Sequence, residues 1–251
     1  MKIHVFGQGQ DLVWIPGWGM PSAVFMPVIQ TLAGKFTFHL VDLTEEGDTT
    51  TNVSQWQCSR LAQIIIDRVP PAIWFGWSLG SLISLQAALI SRRVQALVLF
   101  AATPCFVRSA QWVHGVERRL LIEFSRELRA NTTRTRQRFN ALCVHGSITA
   151  QQERRYLNQI SGKSQISVDL LDAGLYLLMQ TDLSADISKI MVPSLWIAGQ
   201  HDRLIAPSGV YAAAAQMKNS QRIMLSDAAH CPFLSHPLNV AAHISDFLSH
   251  I

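Results

Sequence analysis

Short, almost wholly apolar runs alternate with longer amphipathic stretches over the first hundred residues. Runs at 12–15, 36–43, 72–75 and 94–101 predict strands, the first ended by Pro16-Gly17. Helical periodicity at 53–69, opening near Ser54 and stopped by Pro70-Pro71, and at 78–91 predicts helices between them. Strands apolar at nearly every position are those buried on both faces of a parallel sheet. Strand–helix alternation of this kind predicts a doubly wound, mostly parallel α/β sheet. The pattern then changes. From 111 to 179 it is helical throughout, with helices predicted at 112–129, 134–144, 150–159 and 168–179. Alternation resumes with strands at 194–198 and 222–225 and helices at 210–217 and 237–248. The expected organisation is an α/β core, residues 1–104 and 185–251, with residues 105–184 inserted as a helical cap.

The chain has 251 residues, 49% hydrophobic and 15% charged, which excludes a disordered protein. Four cysteines without a CxxC pair or a His/Cys ligand spacing indicate neither a zinc site nor a redox motif, so no metal and no cofactor are expected. No signal-peptide core follows Lys2, and the longest apolar run, 94–102, is far short of the roughly 20 residues that span a bilayer. A soluble, cytoplasmic, monomeric protein is expected, with no membrane partner. Charge is unevenly placed. The net charge is +4, yet residues 103–164 hold 11 basic and 4 acidic side chains, a local +7 against −3 for the remainder. That asymmetry favours an acidic partner. No nucleic-acid-binding motif accompanies it, and none is expected to bind.

Candidate chemistry begins at Gly76-Trp77-Ser78-Leu79-Gly80, a G-x-S-x-G sequence between an apolar strand and a helix. A serine on so sharp a turn presents its hydroxyl outward, and glycines two before and two after permit the close backbone approach. The helix that follows aims its free N–H groups and positive dipole end at the same point. A serine hydroxyl needs a base, and the base an orienting carboxylate. On this architecture they follow in the order Ser, Asp or Glu, His, each just past a strand. Asp202 follows the strand at 194–198, and His230 follows the one at 222–225. His201 adjoins Asp202, and Asp227 lies close to His230, so swapped roles stay open. Two backbone N–H groups should form an oxyanion hole. Leu79 follows the nucleophile, and in Pro16-Gly17-Trp18-Gly19 the donor expected is Trp18, since proline has no N–H.

These residues resemble the α/β-hydrolase superfamily and, more narrowly, the BioH family, the pimeloyl-[acyl-carrier-protein] methyl ester carboxylesterases of biotin synthesis. The similarity spans nearly the whole chain. It is densest in Gly17-Trp18-Gly19, His39-Leu40-Val41-Asp42-Leu43, Ala72-Ile73-Trp74-Phe75-Gly76-Trp77-Ser78-Leu79-Gly80, Arg93-Val94-Gln95-Ala96-Leu97-Val98, Thr103-Pro104-Cys105-Phe106 and Ala228-Ala229-His230-Cys231-Pro232-Phe233. The resemblance implies an α/β-hydrolase fold with an inserted cap. It implies Ser78, Asp202 and His230 as catalytic residues, with Trp18 and Leu79 as oxyanion donors. It also implies an acyl carrier protein as partner, held by cap arginines matching Arg134, Arg138 and Arg155, while Gln151 stands at a position the family can fill with one more Arg. Arg134 and Arg138 share one helix face, which suits an anionic partner independently. Trp18, Ser78 and Phe139 are expected at the substrate, with Leu121, Phe124 and Leu142 lining an acyl channel. Two departures bear on the entrance: Pro16 replaces a His common among relatives, and Thr44-Glu45-Glu46-Gly47-Asp48 replaces a loop usually rich in Pro and Gly.

The reaction so implied is hydrolysis of the methyl ester of pimeloyl-acyl carrier protein to the free acid and methanol. A general esterase or carbon–carbon hydrolase of small metabolites would use the same triad without a carrier. A non-catalytic ligand-binding module on the same fold is the rival from another class.

Overall fold

A computed structural model of the chain describes residues 1–32, 36–43, 56–164 and 166–251. The expected start of the second-segment helix at 53–55 and the acidic loop 44–48 lie outside them. Seven strands form one sheet in the order β1-β3-β2-β4-β5-β6-β7. They are β1 (Lys2–Gly7), β2 (Gln10–Ile15), β3 (Phe36–Asp42), β4 (Ala72–Trp77), β5 (Val94–Phe100), β6 (Ser194–Gly199) and β7 (Ser220–Leu225). Only β1 pairs antiparallel, on the edge against β3. The helices are α1 (Met26–Leu32), α2 (Cys58–Arg68), α3 (Leu79–Ile90), α4 (Arg118–Ala130), α5 (Thr132–Cys143), α6 (Ala150–Lys163), α7 (Val168–Gln180), α8 (Pro207–Ala214), α9 (Pro232–Ser235) and α10 (Pro237–Ser249).

The near-continuous apolar runs have the reason anticipated for them. In β4, Ile73, Phe75 and Trp77 enter one core while Ala72 and Trp74 enter the other. The same period of two splits Leu12 and Trp14 from Val13 and Ile15 in β2. On one face pack Leu61, Ala62 and Ile65 of α2, Leu82 and Ile83 of α3, and Val210 and Ala213 of α8. On the other pack Val28 and Ile29 of α1 and Val240, Ile244 and Phe247 of α10. Trp14 stacks on Phe75 at 4.0 Å and leans on Phe25 at 5.1 Å, and Phe25 in turn meets Phe233 at 5.0 Å.

Between β5 and β6 the described chain has helices α4 to α7 and no strand longer than an isolated bridge. The two ends of this segment meet: Cys105 bridges Asp182, and Leu183 N–H donates to Pro104 O at 2.9 Å. Helix α4 starts at Arg118 rather than 112. The amphipathic pattern continues upstream, but Gly115 passes so close to Arg108 that a Cβ would lie 2.4 Å from its nitrogen. Arg108 N–H donates to Val116 O, and the chain there is a tight loop instead. Asn131 and Ser167 cap α5 and α7, their side chains accepting from Arg134 N–H and Leu170 N–H. All four cysteines are buried and unpaired.

Candidate active site

Ser78 sits between β4 and α3 with φ 54 and ψ −113, a conformation that costs a non-glycine residue about 1–3 kcal/mol. Its surroundings leave the turn no alternative. A Cβ on Gly76 would lie 2.6 Å from Gly80 O, and one on Gly80 would lie 2.0 Å from Ile15 O. Ser78 N–H donates to Phe100 O at 3.1 Å, and Ser81 Oγ donates to Gly76 O at 2.8 Å, stapling the turn from both sides. Leu79, as the first residue of α3, has a backbone N–H without an intrahelical acceptor, at the positive end of the helix dipole.

Asp202 lies past the end of β6 and His230 past the end of β7, both buried. His230 Nδ1 is 2.7 Å from Asp202 Oδ2. An ionised carboxylate only accepts, so Nδ1 carries the proton and Nε2 keeps its lone pair. That Nε2 is buried and has no hydrogen-bond partner among the described residues. Asp202 Oδ1 accepts from Leu204 N–H at 2.8 Å and Ile205 N–H at 3.0 Å, which locks the carboxylate. The imidazole is fixed by its backbone as well. His230 N–H donates to Cys143 O at 2.9 Å, and Trp77 Nε1 donates to His230 O at 2.8 Å. Of the swapped roles left open above, neither is assembled: His201 and Asp227 are both exposed, and His201 packs against Gly146.

The loop after β2 is pressed onto the same turn. A Cβ on Gly17 would meet the Trp77 ring at 2.9 Å, and Gly19 adopts φ +67. Trp18 donates from Nε1 to Leu171 O at 2.7 Å and stands edge-on to Phe124 (5.4 Å) and Phe139 (4.9 Å). Above Ser78 and Trp18 opens a cavity of about 310 Å³, walled largely by Leu121, Phe124, Phe139, Leu142, Leu175 and Leu178. Arg138 also lines it, ion-paired with Glu127 and lying over the Phe124 ring at 5.8 Å. Arg134 and Arg155 are exposed on α5 and α6 and do not reach the cavity. Arg136, between the two predicted arginines, points inward: it donates to Gly19 O at 3.3 Å and Ser161 O at 2.9 Å, and burial lowers its pKa. Burial, with the Cys143 thiol beside it, pushes the Cys231 thiol well above its ordinary range, so this neighbour of His230 is no rival nucleophile.

Residues 12–243 match the family described as the alpha/beta hydrolase family. The chain belongs to that family. Within this alpha/beta hydrolase family it joins the BioH group, the pimeloyl-[acyl-carrier protein] methyl ester esterases. It is 41% identical over 250 residues to the protein so named from Stenotrophomonas maltophilia (strain R551-3), covering 99% of this chain and 96% of the relative. To the one from Xylella fastidiosa (strain 9a5c) it is 40% identical over 252 residues, covering 99% of each. Among solved structures, the esterase EaEST from Exiguobacterium antarcticum superposes with a TM-score of 0.89 at 16% identity, covering 98% of this chain and 94% of that one, a likeness of fold.

Sequence reasoning did not find Arg136, Gly174 or Arg203. Gly174 lies under the Trp18 indole, where a Cβ would be 2.8 Å from Cδ1. Arg203 follows Asp202 and lines the cavity. No local motif marks any of them, since Arg136 and Gly174 touch groups distant in sequence and Arg203 lines a cavity built from several segments. The adjacency of Arg203 to Asp202 was the one available signal.

Proposed function

We propose that the protein is a serine carboxylesterase that hydrolyses the methyl ester of pimeloyl-acyl carrier protein to pimeloyl-acyl carrier protein and methanol. The supporting observation is the His230–Asp202 pair. Its free nitrogen is buried beside the Trp77-Ser78 turn, and it is held by Trp77 itself. The relatives' names supply the substrate.

Ser78 Oγ attacks the ester carbonyl as His230 Nε2 takes its proton. The tetrahedral oxyanion is met by the backbone N–H groups of Leu79 and Trp18. Collapse breaks the bond to the methoxy oxygen, which leaves as methanol carrying the proton from His230, with the acyl group on Ser78. Water then attacks the acyl carbon while giving a proton to His230. The second collapse frees the carboxylic acid and returns that proton to Ser78. No hydrogen bond joins Ser78 to Nε2 in this structure, and such bonds commonly tighten only when substrate is bound. Asp202 fixes the tautomer and stabilises the imidazolium.

Residues 105–184 act as a cap over residues 1–104 and 185–251, a division supported by the Cys105–Asp182 bridge at its neck. The cavity between cap and Ser78 takes the acyl chain. Arg134, Arg138 and Arg155 hold the acidic carrier. No described helix is long and apolar enough to cross a membrane.

The test is methanol release from the carrier-linked methyl ester by the intact protein and by Ser78→Ala. The serine variant is expected to fold normally and lose turnover by about 10⁴-fold or more. Retained turnover removes Ser78 as nucleophile. Hydrolysis of small esters with none of the carrier-linked one would favour a general esterase, and a single stoichiometric release would favour a binding module.

A further inference from the structure

The cavity above Ser78 is apolar in its walls but four charged side chains reach it: Glu123, Glu127, Arg138 and Arg203. Their charges do not cancel pair by pair. Glu127 of α4 is ion-paired with Arg138 of α5. Glu123 of α4 has no ion pair among the described residues, since Arg119, one turn away, is bonded to Glu117 at 2.6 Å. Arg203 is exposed and forms no hydrogen bond or ion pair among the described residues. Its neighbour Asp202 does not neutralise it by contact, since both Asp202 oxygens are taken by His230, Leu204 and Ile205. The cavity that holds the nucleophile therefore carries one cation, Arg203, and one anion, Glu123, that no ion pair among the described residues holds.

We propose that Arg203 is a specificity-determining residue that binds a carboxylate at the end of the acyl chain remote from the ester. Half-esters of free α,ω-dicarboxylic acids are then substrates in their own right, preferred over uncharged esters of the same length. The anion must lie in the cavity that also holds the reacting ester, so the acyl group itself bears it. A guanidinium offers a carboxylate two parallel N–H donors, a geometry an ammonium cannot reproduce. Solvent at the rim screens the pair, leaving a preference of about tenfold.

The inference rests on Ser78 as the nucleophile, and the experiment separates the two. The probes are the monomethyl and dimethyl esters of heptanedioic acid, whose remote end is a carboxylate in one and a second methyl ester in the other, with kcat/KM taken per ester group. The intact protein is expected to show the higher kcat/KM on the monomethyl ester. In Arg203→Gln the ratio of the two kcat/KM values should fall about tenfold, chiefly through KM. Arg203→Lys should keep part of the preference. Should Arg203→Gln fold poorly, Arg203→Met, which keeps an unbranched stem without the charge, is measured in its place with the same expected fall. A ratio unmoved by residue 203 overturns the inference and leaves the nucleophile in place. If neither ester turns over while the carrier-linked methyl ester does, the inference fails and the nucleophile stands; if none of the three turns over, both fail.

Discussion

Asp202 uses its two oxygens for different tasks, and this makes its chemistry separable from its structural role. Oδ1 accepts from Leu204 and Ile205 N–H, while Oδ2 faces His230 Nδ1. In Asp202→Asn the amide oxygen keeps the two backbone donors, because an NH₂ group there would face two N–H groups. The NH₂ then faces Nδ1, which must become the acceptor, and the ring proton moves to Nε2. That is the atom which, in the proposed mechanism, takes the proton of Ser78. The variant is expected to keep its thermal midpoint and lose about 10⁴-fold in kcat on a small ester. Paired melting curves and steady-state kinetics check this. A loss under tenfold would mean that the imidazole is oriented by something other than this carboxylate.

At the scale of elements, the turn bearing Ser78 is shaped from both sides of the sheet edge. The β2 loop reaches it through Gly17 against Trp77, and the helices between β5 and β6 reach that loop through Trp18. Trp18 is held by Leu171 O, Phe124 and Phe139, and Arg136 donates to Gly19 O in the same loop. Gly174→Ala places a Cβ 2.8 Å from Trp18 Cδ1 and must push the indole, and with it the proposed Trp18 N–H donor. A cost of about 1–3 kcal/mol in stability is expected from overpacking. A loss of about tenfold in kcat should accompany it, part of the effect of removing an oxyanion donor outright. Chemical denaturation and kcat measured on the same preparation test the coupling. Unchanged kcat with lowered stability would disconnect the indole from the donor. Strands were the most legible elements, because β2, β4, β5 and β6 are buried on both faces and show it as continuous apolar runs. Helix α1 was not legible: seven residues with Pro27 near the start give too short a period to register. The start of α4 misled, because Gly115 answers to a close backbone pass that no local pattern records. The placement of Ser78 at the β4–α3 turn and the pairing of Asp202 with His230 were legible because chain order and strand ends constrain them jointly. Arg136 and Gly174 were not, because the groups they touch are fixed only when the chain is folded, and Arg203 was not, because the cavity it lines exists only then.

Over the whole molecule, charge is divided as unevenly as chemistry is concentrated. Residues 103–164 carry +7 and the rest −3, so the segment covering the cavity is the positive end of the protein. Part of that charge is committed: Arg138 pairs with Glu127, Arg129 with Asp172 and Asp169, and Arg136 is turned inward. Arg134 and Arg155 are exposed on neighbouring helices without an ion pair among the described residues, leaving them available to an approaching anion. Summed fields of this kind act on encounter, raising the association rate of an acidic macromolecule and decaying with salt. They act little on a small neutral ester, which diffuses in regardless. The ratio of kcat/KM for the carrier-linked ester to that for a neutral short-chain ester is therefore expected to fall steeply as ionic strength passes about 0.15 M, where the screening length is about 8 Å. Reversing both charges in Arg134→Glu/Arg155→Glu should lower the same ratio about tenfold or more at low salt and flatten its salt dependence, since the field being screened has been removed. A ratio that stays level with salt and survives the double reversal would place carrier recognition on another face of the molecule. The positive charge of this segment would then serve solubility alone.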